Sequence, residues 1–458
     1  LTGGGHAVIA ALRDALGPRA LLSGDAVGAR YCSDASLTGS CLPRAVLRPD
    51  TVEAVAAALR ICNAAGQSVV PQGGLTGLAG GANPRADDIA LSLERFAGVE
   101  EIDEASGTMT VRAGTVLESA QSVAAAAGFL LPIDLGARGS CQIGGIVATN
   151  AGGIRVLRHG QTRENVLGLE VVLADGTVIT SLNKAVKNNT GYDLRQLFIG
   201  SEGTLGVVTR AVLRLRPAPA ACHTALCALR SYGHVVELLK RAQAALPGLS
   251  AFEVMWESYV RFNEEAERIR HFVDRPSLTV LLEQQGAEED AHRFEAFLAD
   301  ALEEELIGDA LIAQSQKERD SFWAVREGHQ MDRLLPGLIN LDVSMAIGRL
   351  GDFAETCGQR LARRFPDAHI SFYGHLADGN LHVAVSVPTS TDQAAAEVSR
   401  ITYELVRQRG GSISAEHGIG TLKRPYLGYS RSAAEIELMR RMKTALDPNG
   451  ILNPGKVI

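Results

Sequence analysis

Residues 71 to 81 read Pro71-Gln72-Gly73-Gly74-Leu75-Thr76-Gly77-Leu78-Ala79-Gly80-Gly81, five glycines in eleven positions. Glycine leaves backbone N–H groups unshielded by side chains, and a run of such donors after a strand suits a phosphate or pyrophosphate. Upstream, Val46 to Arg48 predicts a short strand, Pro49-Asp50-Thr51 a helix start and Val52 to Ala65 an amphipathic helix stopped by Gly66. Gln67 to Val70 then predicts a second strand that delivers the chain into the loop. Taken alone, the loop also fits an ordinary flexible connection.

A second stretch of small residues narrows the choice of guest. Leu131-Pro132-Ile133-Asp134-Leu135-Gly136 leads into Gly139-Ser140-Cys141-Gln142-Ile143-Gly144-Gly145-Ile146-Val147-Ala148-Thr149-Asn150-Ala151-Gly152-Gly153, where a flat ring system can lie against backbone. Ser140, Thr149 and Asn150 add short polar groups for ribityl hydroxyls, phosphate oxygens or flavin ring edges. Close strand packing at a sheet corner is the plainer reading of the same glycines. The nicotinamide fingerprint G-x-G-x-x-G is absent, because the pairs Gly3/Gly5 and Gly418/Gly420 lack the third glycine, and there is no Walker loop.

Thirty of the 48 glycines lie at or before Gly206, so the two parts of the chain meet different backbone demands. Val166 to Leu173, the Asp175-Gly176 turn and Thr177 to Thr180 predict a hairpin, and Leu205 to Leu215 a further strand. Arg216-Pro217-Ala218-Pro219-Ala220 marks the change to charge-rich sequence. Beyond it, helical stretches at 235–245, 288–305 and 351–365 alternate with strand-like Leu278 to Leu282 and His382 to Val387, which predicts α+β. A helix over Ala433 to Ala445 stops at Asp447-Pro448-Asn449-Gly450 before a short tail. The expected division is 1–217 for a nucleotide domain, 218–410 for a substrate and metal domain, and 411–458 for a segment returning to the cofactor.

A chain of 458 residues suffices for two or three domains, and its net charge of −7 offers no basic footprint for nucleic acid. Seven scattered cysteines without a C-x-x-C pair fit a reducing compartment and show no iron–sulfur pattern; the cytosol is the expected location. The chain starts at Leu1 rather than Met, which leaves an organelle open, and the apolar run Val123 to Leu131 is too short to span a membrane.

Gly374-His375-Leu376-Ala377-Asp378-Gly379-Asn380-Leu381-His382 carries two imidazoles seven residues apart across an Asp-Gly turn, so a chain reversal brings both to one point. Two histidines make no closed site. Ser414-Ala415-Glu416-His417-Gly418-Ile419-Gly420 supplies a carboxylate and a third imidazole in a glycine-flanked loop. A His2Glu set leaves positions open for substrate oxygens and suits zinc, with Mn²⁺ and Fe²⁺ as alternatives.

Both glycine-rich segments, with Gly200-Ser201-Glu202-Gly203-Thr204-Leu205-Gly206, resemble the flavin domain of the vanillyl-alcohol oxidase superfamily. Within it the chain is similar to the D-2-hydroxyglutarate and D-lactate dehydrogenase group, which includes the glycolate oxidase flavin subunit, from about Val46 to Val457. The resemblance implies a two-part FAD-binding domain of the vanillyl-alcohol oxidase (PCMH) type and an α+β substrate domain with an antiparallel sheet. It places FAD contacts on Pro71, Gln72, Gly73, Gly74, Leu75, Thr76, Gly77, Pro132, Asp134, Gly136, Ser140, Gly144, Gly145, Thr149, Asn150, Gly152, Gly153, Glu202, Gly206 and Val208, with Asn453 near the flavin. No His stands in or beside the first loop, so the FAD is expected to be non-covalent.

By the same resemblance His375, His382 and Glu416 bind a divalent metal, zinc by its donor set, and His417 is the general base. Arg326, in Phe322-Trp323-Ala324-Val325-Arg326-Glu327, falls where the family grips the substrate carboxylate, and Lys423 is a weaker candidate. The implied reaction is oxidation of a D-2-hydroxy acid to the 2-oxo acid, with the metal on the substrate's hydroxyl and carboxylate oxygens and hydride passing to flavin N5. Dicarboxylate-oxidising members tend to carry Lys near the position of Asn340 and Asn near that of Ala384; both are missing here, which favours a smaller or more apolar acid. The alternatives are an FAD oxidase of the same fold acting on another alcohol, and a non-catalytic subunit of a glycolate-oxidase-like complex. An electron-transfer flavoprotein or a quinone is the expected acceptor, and a homodimer the expected assembly.

Overall fold

Thr51 accepts a hydrogen bond from the Ala54 N–H at 3.1 Å and so starts the helix Val52–Ala64. That helix buries Val55, Ala58, Leu59 and Cys62 in a core shared with the strands Ala45–Leu47, Val69–Gln72 and Ile89–Ser92. The computed structural model describes residues 3–388 and 391–458. It forms two units, the first comprising the chain up to Gly152, Gly160–Ala218 and Glu416–Ile458, the second Gly153–His159 and Pro219–Ala415.

In the first unit a four-stranded sheet runs in the order Leu21–Ser23, Ala45–Leu47, Ile89–Ser92, Val69–Gln72. A five-stranded antiparallel sheet runs Val99–Asp103, Thr108–Arg112, Val207–Arg214, Val166–Val172, Val178–Ser181. The last two strands are the expected Asp-Gly hairpin, closed by the Leu173 N–H on the Thr177 carbonyl at 2.9 Å. After the helix Ala433–Leu446 the chain returns beside the first sheet, where Val69 donates to Ile451 O and accepts from Asn453 N, both at 2.8 Å. Residue 453 is thereby fixed next to the strand that enters the glycine loop.

The second unit is α+β, built on a seven-stranded antiparallel sheet in the order Asp309–Ile312, Ala221–Leu229, Leu278–Gly286, Leu249–Trp256, His369–His375, Asn380–Ser386, Leu338–Ser344. Residues directly opposite on paired strands share a face. Glu253 opposite His375, Tyr373 opposite His382, and His382 opposite Asp342 therefore form one continuous polar patch. The helices Glu257–Glu267 and Gln316–Glu327 pack on that side through Tyr259, Val260, Phe322 and Val325. Several expected elements shift by a few residues: the strand starts at Asn380 rather than His382 because pairing begins straight after the turn, the helix expected from 351 starts at Ile347, and the strand expected over 67–70 is Val69–Gln72.

Glu283 organises the sheet's other end. It is fully buried, pairs with Arg155, and accepts from the Trp323 indole N–H at 3.1 Å and the Thr224 hydroxyl at 3.1 Å, with Arg319 Nε at 3.3 Å. Burial alone would raise its pKa, but Arg155 and Arg319 outweigh that and hold it below the ordinary carboxylate range. A depressed folded pKa contributes stability above the unfolded value of about 4.3 that is lost as pH falls. Glu283→Ala, which strands two guanidinium groups, is expected to cost the second unit about 3–5 kcal/mol. Glu283→Gln should flatten the loss of thermal stability below about pH 4.3, with melting curves recorded across pH as the check.

Candidate active site and cofactor cradle

Gly379, at φ +78°, closes the turn between the strands His369–His375 and Asn380–Ser386. A Cβ there would meet the Met345 carbonyl at 2.6 Å, so the turn requires glycine. The reversal brings the imidazoles of His375 and His382 to a 5.5 Å ring separation, edge to face, with both residues buried. Beside them Ser344 and Ser412 exchange backbone hydrogen bonds at 2.7 and 3.0 Å, and Asp342 Oδ2 accepts from the Ala415 N–H at 2.7 Å. Those bonds hold the chain as it reaches Glu416, and the ligand atoms of His375, His382 and Glu416 lie within 4.8 Å of one another. Two imidazoles and a carboxylate are a donor set that fits a divalent ion of zinc type.

Arg326 is buried near the end of the helix Gln316–Glu327. Ser315 caps that helix, and the Tyr259 hydroxyl donates to the Arg326 carbonyl at 2.8 Å. Gly328, at φ +60°, ends it where a Cβ would sit 2.4 Å from the Tyr259 oxygen. The guanidinium stacks over Tyr373 at 4.9 Å, and Tyr373 in turn stacks on His382 at 4.8 Å. Glu253, which the sequence reading did not single out, accepts from Arg326 Nε at 2.6 Å and lies 2.8 Å from His375 Nδ1. Burial alone would raise the Glu253 pKa; Arg326 and His375 overcome that and keep it below the ordinary range. Burial would likewise lower the Arg326 pKa, but Glu253 raises it. A lone acidic residue within the strand Leu249–Trp256 gives no motif, and only the register reveals its partners.

In the first unit Glu202 governs the segment after His417. Its two carboxylate oxygens accept from the Ile419 and Gly420 N–H groups at 2.7 and 2.8 Å, and its carbonyl accepts from Asn453 Nδ2 at 2.8 Å. Burial raises the Glu202 pKa against the pull of those N–H groups and of Lys423, itself 4% exposed. Asn453 also donates to Gly81 O at 3.0 Å, so the tail, the glycine loop and Glu202 form one connected structure.

Among the described residues no backbone N–H from Gly73 to Gly81 donates to a protein acceptor. The buried acceptors Gln72 Oε1, Gln142 Oε1 and Asn453 Oδ1 are likewise without a protein donor. A Cβ on Gly74 would fall 2.0 Å from the Ser140 carbonyl and one on Gly73 3.7 Å from the Gly145 Cα, so the two glycine-rich segments approach closely. Donors in a row, unmet acceptors and backbone stripped of side chains fit a dinucleotide with a flat ring system.

Other candidates are held by the protein itself. The Thr149 hydroxyl donates to Gly145 O at 2.9 Å. Asn150, in the left-handed region at φ 49°, donates to Gln161 at 2.7 Å and accepts from the Arg163 N–H at 2.9 Å. A Cβ on Gly206 would strike Val171 at 2.6 Å, and Val208 is buried in the sheet core, so packing already accounts for both. Asp134 is ion-paired with Arg138 at 3.0 Å.

Comparison with known proteins places this architecture. The FAD linked oxidases C-terminal domain matches residues 218–457, and an FAD binding domain matches residues 43–181. The chain is 40% identical over 420 residues to the mitochondrial D-2-hydroxyglutarate dehydrogenase of Bos taurus, covering 91% of this chain and 77% of that protein. It is 39% identical over 424 residues to the D-2-hydroxyglutarate dehydrogenase of Xanthomonas citri, covering 91% and 89%. Among solved structures, p-cresol methylhydroxylase with substrate bound superposes with a TM-score of 0.78 at 16% identity, covering 100% of this chain and 97% of that one. The 4-ethylphenol oxidase of Gulosibacter chungangensis gives 0.76 at 18% identity, with coverage of 100% and 97%. These solved structures carry the PCMH-type fold, and the two matched domains with relatives near 40% identity make this chain a member of the FAD-linked oxidase family.

Proposed function

We propose that the chain is an FAD-dependent dehydrogenase that oxidises a D-2-hydroxy acid to the 2-oxo acid, with a divalent metal at His375, His382 and Glu416. The observation that carries the reading is the convergence of those three ligand atoms within 4.8 Å, on a chain whose next residue is His417. When bound, the ion, zinc by its N and O donors, supplies a Lewis acid that acidifies a substrate hydroxyl, and FAD supplies the acceptor for the C2 hydride. His417 takes the hydroxyl proton as general base. Arg326 meets the carboxylate: Glu253 engages its Nε edge, which leaves the Nη1 end for a second anion. The loop Pro71–Gly77 and the run from Pro132 to Gly153 would hold FAD non-covalently, with Asn453 near the flavin.

Handedness at C2 follows the relatives named for D-2-hydroxyglutarate. Asn340 and Ala384 stand opposite each other on the polar face, one position pair beyond Asp342 and His382, and Ala384 lies in an apolar cluster with Tyr373 and Leu338. A second carboxylate has no cation at either position, so the monocarboxylates D-lactate and D-2-hydroxybutyrate are favoured over D-2-hydroxyglutarate, and D-malate, the shorter dicarboxylate, belongs in the substrate panel beside them. An electron-transfer flavoprotein or a quinone reoxidises the flavin, and the working assembly is a homodimer. All seven cysteines are free thiols, which supports the cytosol or an organelle matrix. Among the described residues no helix is long and apolar enough to cross a membrane.

Anaerobic titration of the flavin band with D- and L-2-hydroxy acids, before and after chelation, tests this reading. Bleaching by the D-acids alone, lost on chelation and restored by zinc, is expected; bleaching that survives complete metal removal points to another flavoenzyme. His417→Asn is expected to slow flavin reduction by about 10²–10⁴-fold in stopped-flow traces while flavin and metal content stay at wild-type levels. Gly74→Ala, which drives a methyl into the Ser140 carbonyl, should yield protein depleted of FAD by absorbance, whereas Gly28→Ala, at a site open to solvent, should retain it.

A further inference from the structure

Glu253 is a buried carboxylate with two demanding neighbours. Its Oε1 lies 2.8 Å from His375 Nδ1, and its Oε2 lies 2.6 Å from Arg326 Nε and 2.5 Å from Arg326 Nη2. Only 1% of the residue is exposed, so water cannot take over either bond. A carboxylate bound to a guanidinium is an acceptor only, and its 2.8 Å contact outweighs the 3.4 Å approach of Arg326 Nη2 to the same nitrogen, so His375 Nδ1 is the donor. The proton then resides on Nδ1, and the lone pair resides on Nε2. The same carboxylate balances the charge of Arg326 and fixes the plane of its guanidinium through one edge. One side chain thus determines the state of a metal-ligating imidazole and the aim of a substrate-binding cation.

We propose that Glu253 is a positioning residue for both halves of the site, holding His375 in the tautomer that presents Nε2 to the metal and holding Arg326 by its Nε edge so that its free end faces the substrate carboxylate. The inference rests on the reading of His375 as a metal ligand. Glutamine at this position cannot reproduce the arrangement. With its oxygen toward Arg326, its NH2 faces Nδ1, which must then accept, and the proton moves to Nε2 where it blocks the ligand lone pair. With the amide turned over, the NH2 meets the donors of Arg326. Either rotamer damages one half of the site.

The test uses the flavin-loaded full chain, stripped of metal, with the zinc Kd measured by competition against a chromophoric chelator. In Glu253→Gln the Kd should rise by about 10–100-fold at wild-type flavin content, the range for loss of a partner that orients a metal-bound imidazole. KM for the hydroxy acid should rise with it. Glu253→Asp, one methylene shorter, withdraws from both partners and should also bind zinc more weakly, which decides the matter if the glutamine variant does not fold. A role in stability alone would lower the melting temperature and leave the Kd unchanged. A folded variant with wild-type zinc affinity overturns the inference and leaves the metal reading intact. A wild type that takes up no zinc overturns the metal reading and the inference with it. If neither variant folds, ¹⁵N shifts of labelled histidine in the zinc-free wild type decide: His375 with its proton on Nδ1 supports the inference, and on Nε2 overturns it.

Discussion

The meeting of His375 and His382 depends on strand register in the seven-stranded sheet. Side chains alternate faces, so a slip of one residue between His369–His375 and Asn380–Ser386 would send His382 to the opposite side from His375. The same register sets Glu253 against His375 and Asp342 against His382, and Asp342 secures Ala415, the residue before Glu416. Gly379 specifies that register, because its left-handed backbone and the Met345 carbonyl behind it admit no side chain. The side chains of His375, His382 and Glu416 are thus brought together by one turn and two strand pairings.

Carboxylates, buried in Glu253, Glu283 and Asp342 and partly buried in Glu202, recur as the means by which separate segments are tied. Glu202 spans the Ile419 and Gly420 N–H groups, Glu253 spans Arg326 and His375, Glu283 spans Arg155 and Arg319, and Asp342 receives Ala415. Each is costly to desolvate and is kept by charged or multiple donors, so removing one partner leaves the other unsatisfied. Such carboxylates specify geometry more than they add stability, which suits a site whose ligand atoms must meet within a few ångströms.

The sequence made some of this legible and concealed the rest for physical reasons. The strand into the glycine loop, the Thr51 cap, the Asp-Gly hairpin and the His-x6-His turn carry local signals, and the structure contains each of them. The strands Ala221–Leu229 and Leu249–Trp256 are buried on both faces, so no alternation marks them. Glu253 and Glu283 read as isolated acids because their partners lie 73 and 128 residues away. Gly153–His159, which belongs with the second unit although both its flanks belong to the first, shows no change in composition. Glu202 and Asn150 stand among the expected FAD contacts, and their side chains also tie backbone and neighbouring side chains together, which residue type alone does not reveal.

The central claim is that His375, His382 and Glu416 form one metal site. It is tested most directly by anomalous diffraction at the zinc edge from crystals of the flavin-loaded protein. The account predicts a single strong peak among the three side chains, with His nitrogens at about 2.0–2.1 Å and the carboxylate oxygen at about 2.0–2.2 Å. Zinc-supplemented crystals with no anomalous density at those residues, or with the ion bound elsewhere in the chain, would contradict it.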